Sequence, residues 1–283
     1  MAQNLRQIKN RIRSIDNTHK VTSAMEMISV TKLSRANKIL SGIKPYFAKL
    51  DQIFNRLLSS QGALVHPLLE TKTESCVCLC LITSDSGLCG TYNNNVIRFA
   101  EDFINRKGKE KVKLVIVGKK GFNYFKSRQV QILNSYIGLN GKYSEKTADQ
   151  ISASLISIFL KNQASEVYVA YTHFERGMIN KPVLMKLLNI DIPATGGGRY
   201  ILEPGIDLIL NDFIVKYIYS KMRLILLGSF ATEHASRAVA MKSATDNAKE
   251  LSLGLILLRN KVRQAAITQD ILEIISSAEA LKG

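Results

Sequence analysis

The stretch Thr83–Asn95, TSDSGLCGTYNNN, holds the densest run of side chains that could do chemistry. It follows an apolar run that reads as a strand, and a glycine-containing strand-to-helix loop can cradle phosphate on its backbone N–H groups. Asp85 and Ser86 set an acid beside a hydroxyl. The spacing, however, is neither GxGxxG nor the P-loop pattern, and no lysine follows the second glycine. No histidine or second acid has a motif-spaced partnership with the pair. The loop reads first as a structural turn, with a nucleotide site as the rival. Cys76, Cys78 and Cys80 alternate along one apparent strand and share a face, and Cys89 follows in the loop. One-residue spacing on a strand fits tetrahedral metal coordination poorly. The thiols therefore read as reduced, buried core filler. His66, His173 and His234 are scattered without metal-ligand spacing, and no nucleophile elbow, CxxC or acid pair occurs. No catalytic residue, metal or cofactor is expected.

The elements around this loop alternate. Ser75–Thr83, Val112–Val117, Val130–Tyr136 and Glu166–Thr172 read as strands, and Val183–Leu188 as a fifth near an edge. Between them Asn93–Arg106, Lys119–Lys126 and Thr147–Lys161 read as helices. Such alternation predicts a mostly parallel, Rossmann-like sheet covered on both faces.

The outer thirds of the chain read differently. From Gly205 to Gly283 there is no proline, and the interior glycines are Gly228 and Gly254. This predicts one helix on the order of 110 Å long at 1.5 Å per residue. Leu227, Ala231, His234, Ala238, Met241, Thr245, Ala248, Leu251, Leu255, Leu258, Val262 and Ala265 step by threes and fours, the spacing of a coiled-coil seam. At the other end, Leu5, Ile8, Ile12, Ile15, His19 and Thr22 do the same. There the phase is expected to slip, continuing through Met25, Ile28, Ala36, Ile39 and Ile43. Pro45 is expected to end or kink this helix before it resumes over Lys49–Leu58. His19 reads as a packed neutral imidazole. The expected fold class is α/β plus a long antiparallel coiled coil. Residues 1–60 and 205–283 form its helices, with a Rossmann-like domain at 61–204 inserted between them.

The net charge is +16, and it is uneven: residues 1–60 hold eleven Lys or Arg against three acids, whereas residues 205–283 hold ten against eight. No nucleic-acid motif accompanies it, so a basic helix facing acidic protein surfaces is the reading, with DNA binding as a rival. No apolar run is long enough to span a bilayer. The charged first turns carry no signal-peptide pattern, and a seam beginning at Leu5 leaves nothing that reads as a transit peptide. Near the other end Ile267, Ile271, Leu272, Ile274, Ile275, Ala278 and Leu281 wrap most of the helix circumference. An all-round apolar helix must be enclosed, and one partner helix covers only one side. The enclosing wall is expected from another subunit.

Four motifs carry a resemblance over the whole chain. NTHKVTSAMEMISVTKL at Asn17–Leu33, SDSGLCGTYN at Ser84–Asn93, EHASRAVAMKSATDNA at Glu233–Ala248 and RQAAITQDILEIISSA at Arg263–Ala278 resemble the gamma subunit of F-type ATP synthases. The second resembles the loop usually written SDRGLCGGLN, with Ser86 and Thr91 as departures; in the last, Asp270 stands where Glu is usual and Ser277 where Gly is usual. The resemblance implies a non-catalytic central stalk, turned by a membrane ring of c subunits and driving a ring of alpha and beta subunits that makes ATP. It implies contacts to a beta-subunit loop at Arg263, Gln264 and Thr268, with Met25 at the facing N-terminal site. Tyr200 and Glu203 match the foot region near the c ring, and an epsilon subunit is a further implied partner. The implied location is peripheral, on the cytoplasmic side of a bacterial inner membrane.

Overall fold

The computed structural model describes residues 2–60, 66–72, 76–174, 180–190 and 206–280. Helix α1 spans Ala2–Ser60 and helix α5 spans Ile206–Ala280. Between them lie β1 (Val77–Ile82), α2 (Tyr92–Lys107), β2 (Val112–Val117), α3 (Lys119–Phe125), β3 (Gln131–Tyr136), α4 (Glu145–Leu160), β4 (Glu166–Phe174) and β5 (Asn180–Leu188). The sheet order is β3-β2-β1-β4-β5, with β1–β4 mutually parallel and β5 antiparallel to β4. The fold is thus long terminal helices flanking a mostly parallel five-stranded sheet. The chain divides into two compact units, one of Met1–Ile28 with Ala238–Gly283 and one of Ser29–Arg237.

In the unit Ser29–Arg237, β1 reads VCLCLI and every residue of it is buried, because helices cover both faces of a central parallel strand. On one face, Val96, Ile97, Ala100, Phe103 and Ile104 of α2 pack over Leu79, Leu81, Leu114 and Ile116. On the other, Cys78 and Cys80 join Ile151, Leu155 and Phe159 of α4, together with Leu50, Phe54 and Leu58 of α1 and Ile214, Ile218, Met222 and Leu226 of α5. Each large side chain so buried stabilises the fold by roughly 1.5–3 kcal/mol. The terminal helices are therefore part of the sheet's own core. Their antiparallel pairing is fixed here by Phe54, whose ring lies 4.0 Å from that of Tyr217 and 6.1 Å from that of Phe213. Tyr217 also donates to Asp51 Oδ1 at 2.8 Å. β5 carries Pro182, which an edge strand tolerates because one side of its backbone has no ladder to complete.

In the unit Met1–Ile28 with Ala238–Gly283, the two helices again run antiparallel. Thr245 Oγ1 donates to Thr22 Oγ1 at 2.8 Å, and Ser252 Oγ donates to Asp16 Oδ1 at the same distance. Ile12, Met241 and Ala248 are buried in this unit.

Three expectations are corrected. Helix α1 does not end at Pro45; it runs through it. Pro45 is exposed, so the carbonyl four residues earlier, which loses its intrahelical donor, faces water, while Leu50, Phe54 and Leu58 hold the following turns in the core. The buried stripe of α1 shows no phase slip. It runs through Thr22, Met25, Ser29, Leu33, Ala36, Leu40 and Ile43, with Ser29 only 2% exposed, while Ile28 is 56% and Ile39 44% exposed. The stripe of α5 shifts after Ala248 to Ser252, Leu255, Arg259 and Val262, leaving Leu251 and Leu258 outside. In both places a small polar side chain sits inside and a large apolar one outside. The apolar-only template followed the wrong neighbour.

Candidate functional site

The loop after β1 is built outward from β1's carboxyl end. Thr83 Oγ1 donates to Val117 O at 2.9 Å and accepts from Gly121 N at 3.0 Å, joining β1 to the start of α3. This close approach requires Gly118. It sits at φ +95°, and a Cβ there would lie 2.2 Å from Thr83 O. Ser84 and Asn93 bond reciprocally, Ser84 N to Asn93 Oδ1 at 3.0 Å and Asn93 Nδ2 to Ser84 Oγ at 2.8 Å, which ties the loop's start to the first turn of α2. Asn93 Nδ2 also reaches Cys89 Sγ at 3.1 Å.

Asp85 is not poised as an acid or base. Its carboxylate accepts from Lys119 N at 2.9 Å, Gly138 N at 3.0 Å and Asn140 N at 2.7 Å, and so ties the β3–α4 loop to the β1–α2 loop. Ser86 Oγ accepts from Arg237 Nη2 at 2.9 Å. Arg237 Nη2 also reaches Ser86 O at 3.3 Å, and Arg237 Nε donates to Gly87 O at 3.2 Å. The same guanidinium pairs with Glu233 Oε1 at 2.7 Å, one turn earlier on α5. These side chains are only 8% and 1% exposed. Burial pushes the Glu233 carboxyl above the usual carboxylate range, and the Arg237 charge opposes that shift. Its second oxygen, Oε2, is buried without a hydrogen-bond partner.

His234 completes the cluster. Its Nε2 lies 2.9 Å from Gly141 O, and its Nδ1 lies 3.4 Å from Arg237 Nη1. A carbonyl needs a donor and a guanidinium needs an acceptor, so the ring is neutral with its proton on Nε2. Burial first, then the Arg237 and Lys32 charges, hold its pKa below the ordinary histidine value, with the Gly141 bond opposing. Gly141 is at φ +64°, and a Cβ there would come within 2.7 Å of the His234 ring. Tyr92 adds a further tie, its phenol 2.7 Å from Ser229 Oγ, and burial raises its pKa. The loop thus grips a turn of α5 through its carbonyls and the Ser86 hydroxyl. Sequence reasoning singled out Asp85 and Ser86 but missed Glu233 and Arg237 as their companions. Their i, i+4 spacing was a signal, and two opposite charges on a face otherwise rich in small residues was another.

Cys78 and Cys80 are fully buried among apolar side chains, and burial pushes the Cys78 thiol up to about 12. Among the described residues no group of three or more His, Cys, Asp or Glu side chains is placed to hold a metal ion.

The residues singled out at the end of α5 lie in the other unit. Arg263, Gln264 and Thr268 are exposed, and Thr268 Oγ1 donates only to Gln264 O, at 3.0 Å. Met25 is half-buried on the inner stripe of α1. The pairs Thr22–Thr245 and Asp16–Ser252 set its level on α5 near Lys242. That is ~30 Å along the helix from Arg263 at 1.5 Å per residue, so the structure does not bring the two together. Beyond Arg263, Ile267, Ile271, Leu272, Ile274 and Ile275 are all exposed by half or more, Ile274 by 67%. Tyr200 and Glu203 lie outside the described residues.

A mostly parallel sheet flanked in the sequence by two long helices that pair antiparallel, with the loop after β1 bonded to one turn of α5, defines an α/β protein with a coiled coil. The chain belongs to the ATP synthase gamma-chain family. The sequence model of the ATP synthase family matches residues 4–281. The gamma chain of Symbiobacterium thermophilum is 35% identical over the whole of both chains, and that of Heliobacterium modesticaldum 37% identical over 98% of this chain and 99% of the relative. Among solved structures, a chain of the Euglena gracilis mitochondrial ATP synthase (OSCP/F1/c-ring, rotational state 3) matches with a TM-score of 0.66 at 18% identity, over 99% of this chain and 95% of that one. A chain of the Tetrahymena thermophila mitochondrial ATP synthase central stalk and c ring matches with a TM-score of 0.58 at 21% identity, over 79% and 99%. At those identities the likeness is one of fold.

Proposed function

We propose that this chain is the central stalk of a rotary, proton-translocating ATP synthase. It carries the rotation of a membrane ring of c subunits into a ring of alternating alpha and beta subunits. It takes no part in bond making itself; an asymmetric shaft turning inside the ring biases each catalytic site in turn between tight and open states. One observation carries the reading: the four isoleucines and Leu272 from Ile267 to Ile275 are exposed near the end of α5. Water disfavours such a surface, and it calls for an apolar sleeve supplied by other chains. Apolar contact is non-directional, so a helix can turn in that sleeve without breaking fixed ion pairs.

In this reading Arg263, Gln264 and Thr268 meet a loop of a beta subunit, Met25 on α1 makes its contact at a separate level ~30 Å along the shaft, and Tyr200 and Glu203 stand near the c ring, with an epsilon subunit on the α/β domain. The excess of basic side chains at the chain's start suits acidic faces of the ring. No described helix is long and apolar enough to cross a membrane. In this reading the subunit is peripheral, on the cytoplasmic side of a bacterial inner membrane. The test is a pull-down from native membranes with a tag in the α/β domain. Recovery of an alpha–beta ring with ATPase activity is expected. Recovery of the chain alone, from membranes whose other complexes survive, overturns the reading.

A further inference from the structure

The rotor reading leaves the Ser84–Gly90 loop without a task, yet each residue from Ser84 to Gly87 is hydrogen-bonded. Its partner is a single turn of α5, Glu233–Arg237, the last turn of that helix belonging to the unit that holds the sheet. Arg237 uses every guanidinium nitrogen there: Nε on Gly87 O, Nη2 on Ser86 and Glu233, Nη1 against His234. Neither end of these bonds is loose. Ser86 O is also held by Ser84 Oγ at 2.6 Å, and Asp85 between them is fixed by three backbone N–H groups. His234 ties the same turn to the β3–α4 loop through Gly141 O. Two loops at the carboxyl end of the sheet therefore converge on one turn of helix.

Along the rest of α5 two further ties to the domain are directional, the partly exposed bidentate Arg223–Asp149 pair to α4 at 2.8 and 2.7 Å and the Tyr92–Ser229 bond at 2.7 Å. The apolar packing around them opposes removal of the helix from the domain but only weakly opposes its rotation about its own axis, because such contacts have no direction. Buried hydrogen bonds to fixed carbonyls have direction, and turning the helix would strand a desolvated guanidinium and carboxylate. A buried ion pair whose Glu233 Oε2 has no hydrogen-bond partner is a poor choice for stability alone.

We infer that Arg237 is a positioning residue for torque transfer, with the Ser84–Gly90 loop as its socket, fixing the rotation of α5 to that of the α/β domain. Torque applied to the domain then enters the remaining length of α5 without slip. The inference rests on the rotor reading.

The test uses the reconstituted synthase with Glu233→Leu and Arg237→Met combined. An apolar pair of similar volume keeps the packing and removes the directional bonds. Two quantities are read: protons pumped per ATP hydrolysed, and the angular spread of a probe on the membrane ring while a non-hydrolysable ATP analogue holds the catalytic sites. The thermal midpoint of the complex is recorded beside them. With the midpoint preserved, a wider angular spread and a lower pumping ratio are expected; both unchanged overturns the inference. If the double variant does not assemble, Arg237→Lys decides. It keeps a charge opposite Glu233 but cannot bridge Ser86 and Gly87 together, so a wider spread supports the inference and an unchanged one overturns it. A wild-type complex that neither rotates nor pumps removes the rotor reading itself, before any variant is compared.

Discussion

His234 and Arg237 stand one turn apart on α5, and the guanidinium charge disfavours a proton on the imidazole. The neutral imidazole accepts from Arg237 on Nδ1 and donates to Gly141 O from Nε2, so an added proton would set two cations face to face. Lys32 of α1 adds to that repulsion, and Lys142 of the β3–α4 loop lines the same cavity as His234. The folded chain therefore refuses a proton that the unfolded chain takes up near pH 6.5. The contribution of His234 is fully present above that value and falls away as the pH drops through it, by at most ~1.4 kcal/mol per pH unit. Glu233, whose pKa is raised, acts with the opposite sign, so the two must be separated by substitution. Denaturant midpoints at pH 7.5 and 5.5 should fall more for the wild type than for His234→Gln, which keeps a donor toward Gly141 and cannot titrate. Equal losses in the two chains would refute this assignment.

Among the elements, α1 shows how packing overrides local preference. A proline inside a helix costs about 3 kcal/mol through a lost hydrogen bond and a ring clash. Pro45 is tolerated because its turn is exposed and the turns after it are held by Leu50 and Phe54. Pro45→Ala should restore the hydrogen bond to Ser41 O and stabilise the chain by roughly 1–2 kcal/mol, the lower flexibility of the unfolded proline chain offsetting part of the gain. A denaturant midpoint unchanged or lowered in Pro45→Ala would show that the turn gains nothing from an amide. The strands and short helices of the sheet unit fell within a few residues of their sequence-read limits, since each is bounded by a change of apolar period or a glycine. The seams were less legible. Ser29 and Ser252 are buried at positions where period counting chose Ile28 and Leu251, because packing between small residues lets two helices approach closely and leaves the larger neighbours outside.

At the scale of the whole molecule, α5 is buried over one stretch and exposed over another. The turns from Leu210 to Phe230 are part of the core beneath the sheet, and changes there should unfold the sheet unit. Arg263 and Gln264 are exposed and bury nothing. Replacing both by Ala should leave the unfolding midpoint of the isolated chain within ~0.5 kcal/mol of wild type. The same variant should lower ATP synthesis driven by a proton gradient in the assembled enzyme. Full coupled synthesis would count against the assignment of these residues to a beta-subunit contact.

The sequence by itself determined the two long helices, the alternating α/β elements and the family, since those rest on local period, breakers and contiguous motifs. It also marked the surplus apolar surface near the end of α5, because a surplus over one seam is countable along the chain. It did not determine the partner of the Ser84–Gly90 loop. Gly87 and Arg237 are 150 residues apart, and only folding the sheet against α5 brings a guanidinium to those carbonyls. Nor did it decide which residues of each seam turn inward. A helix offers neighbouring positions of nearly equal merit, and the close approach of the facing helix, which exists only in the tertiary structure, selects between them.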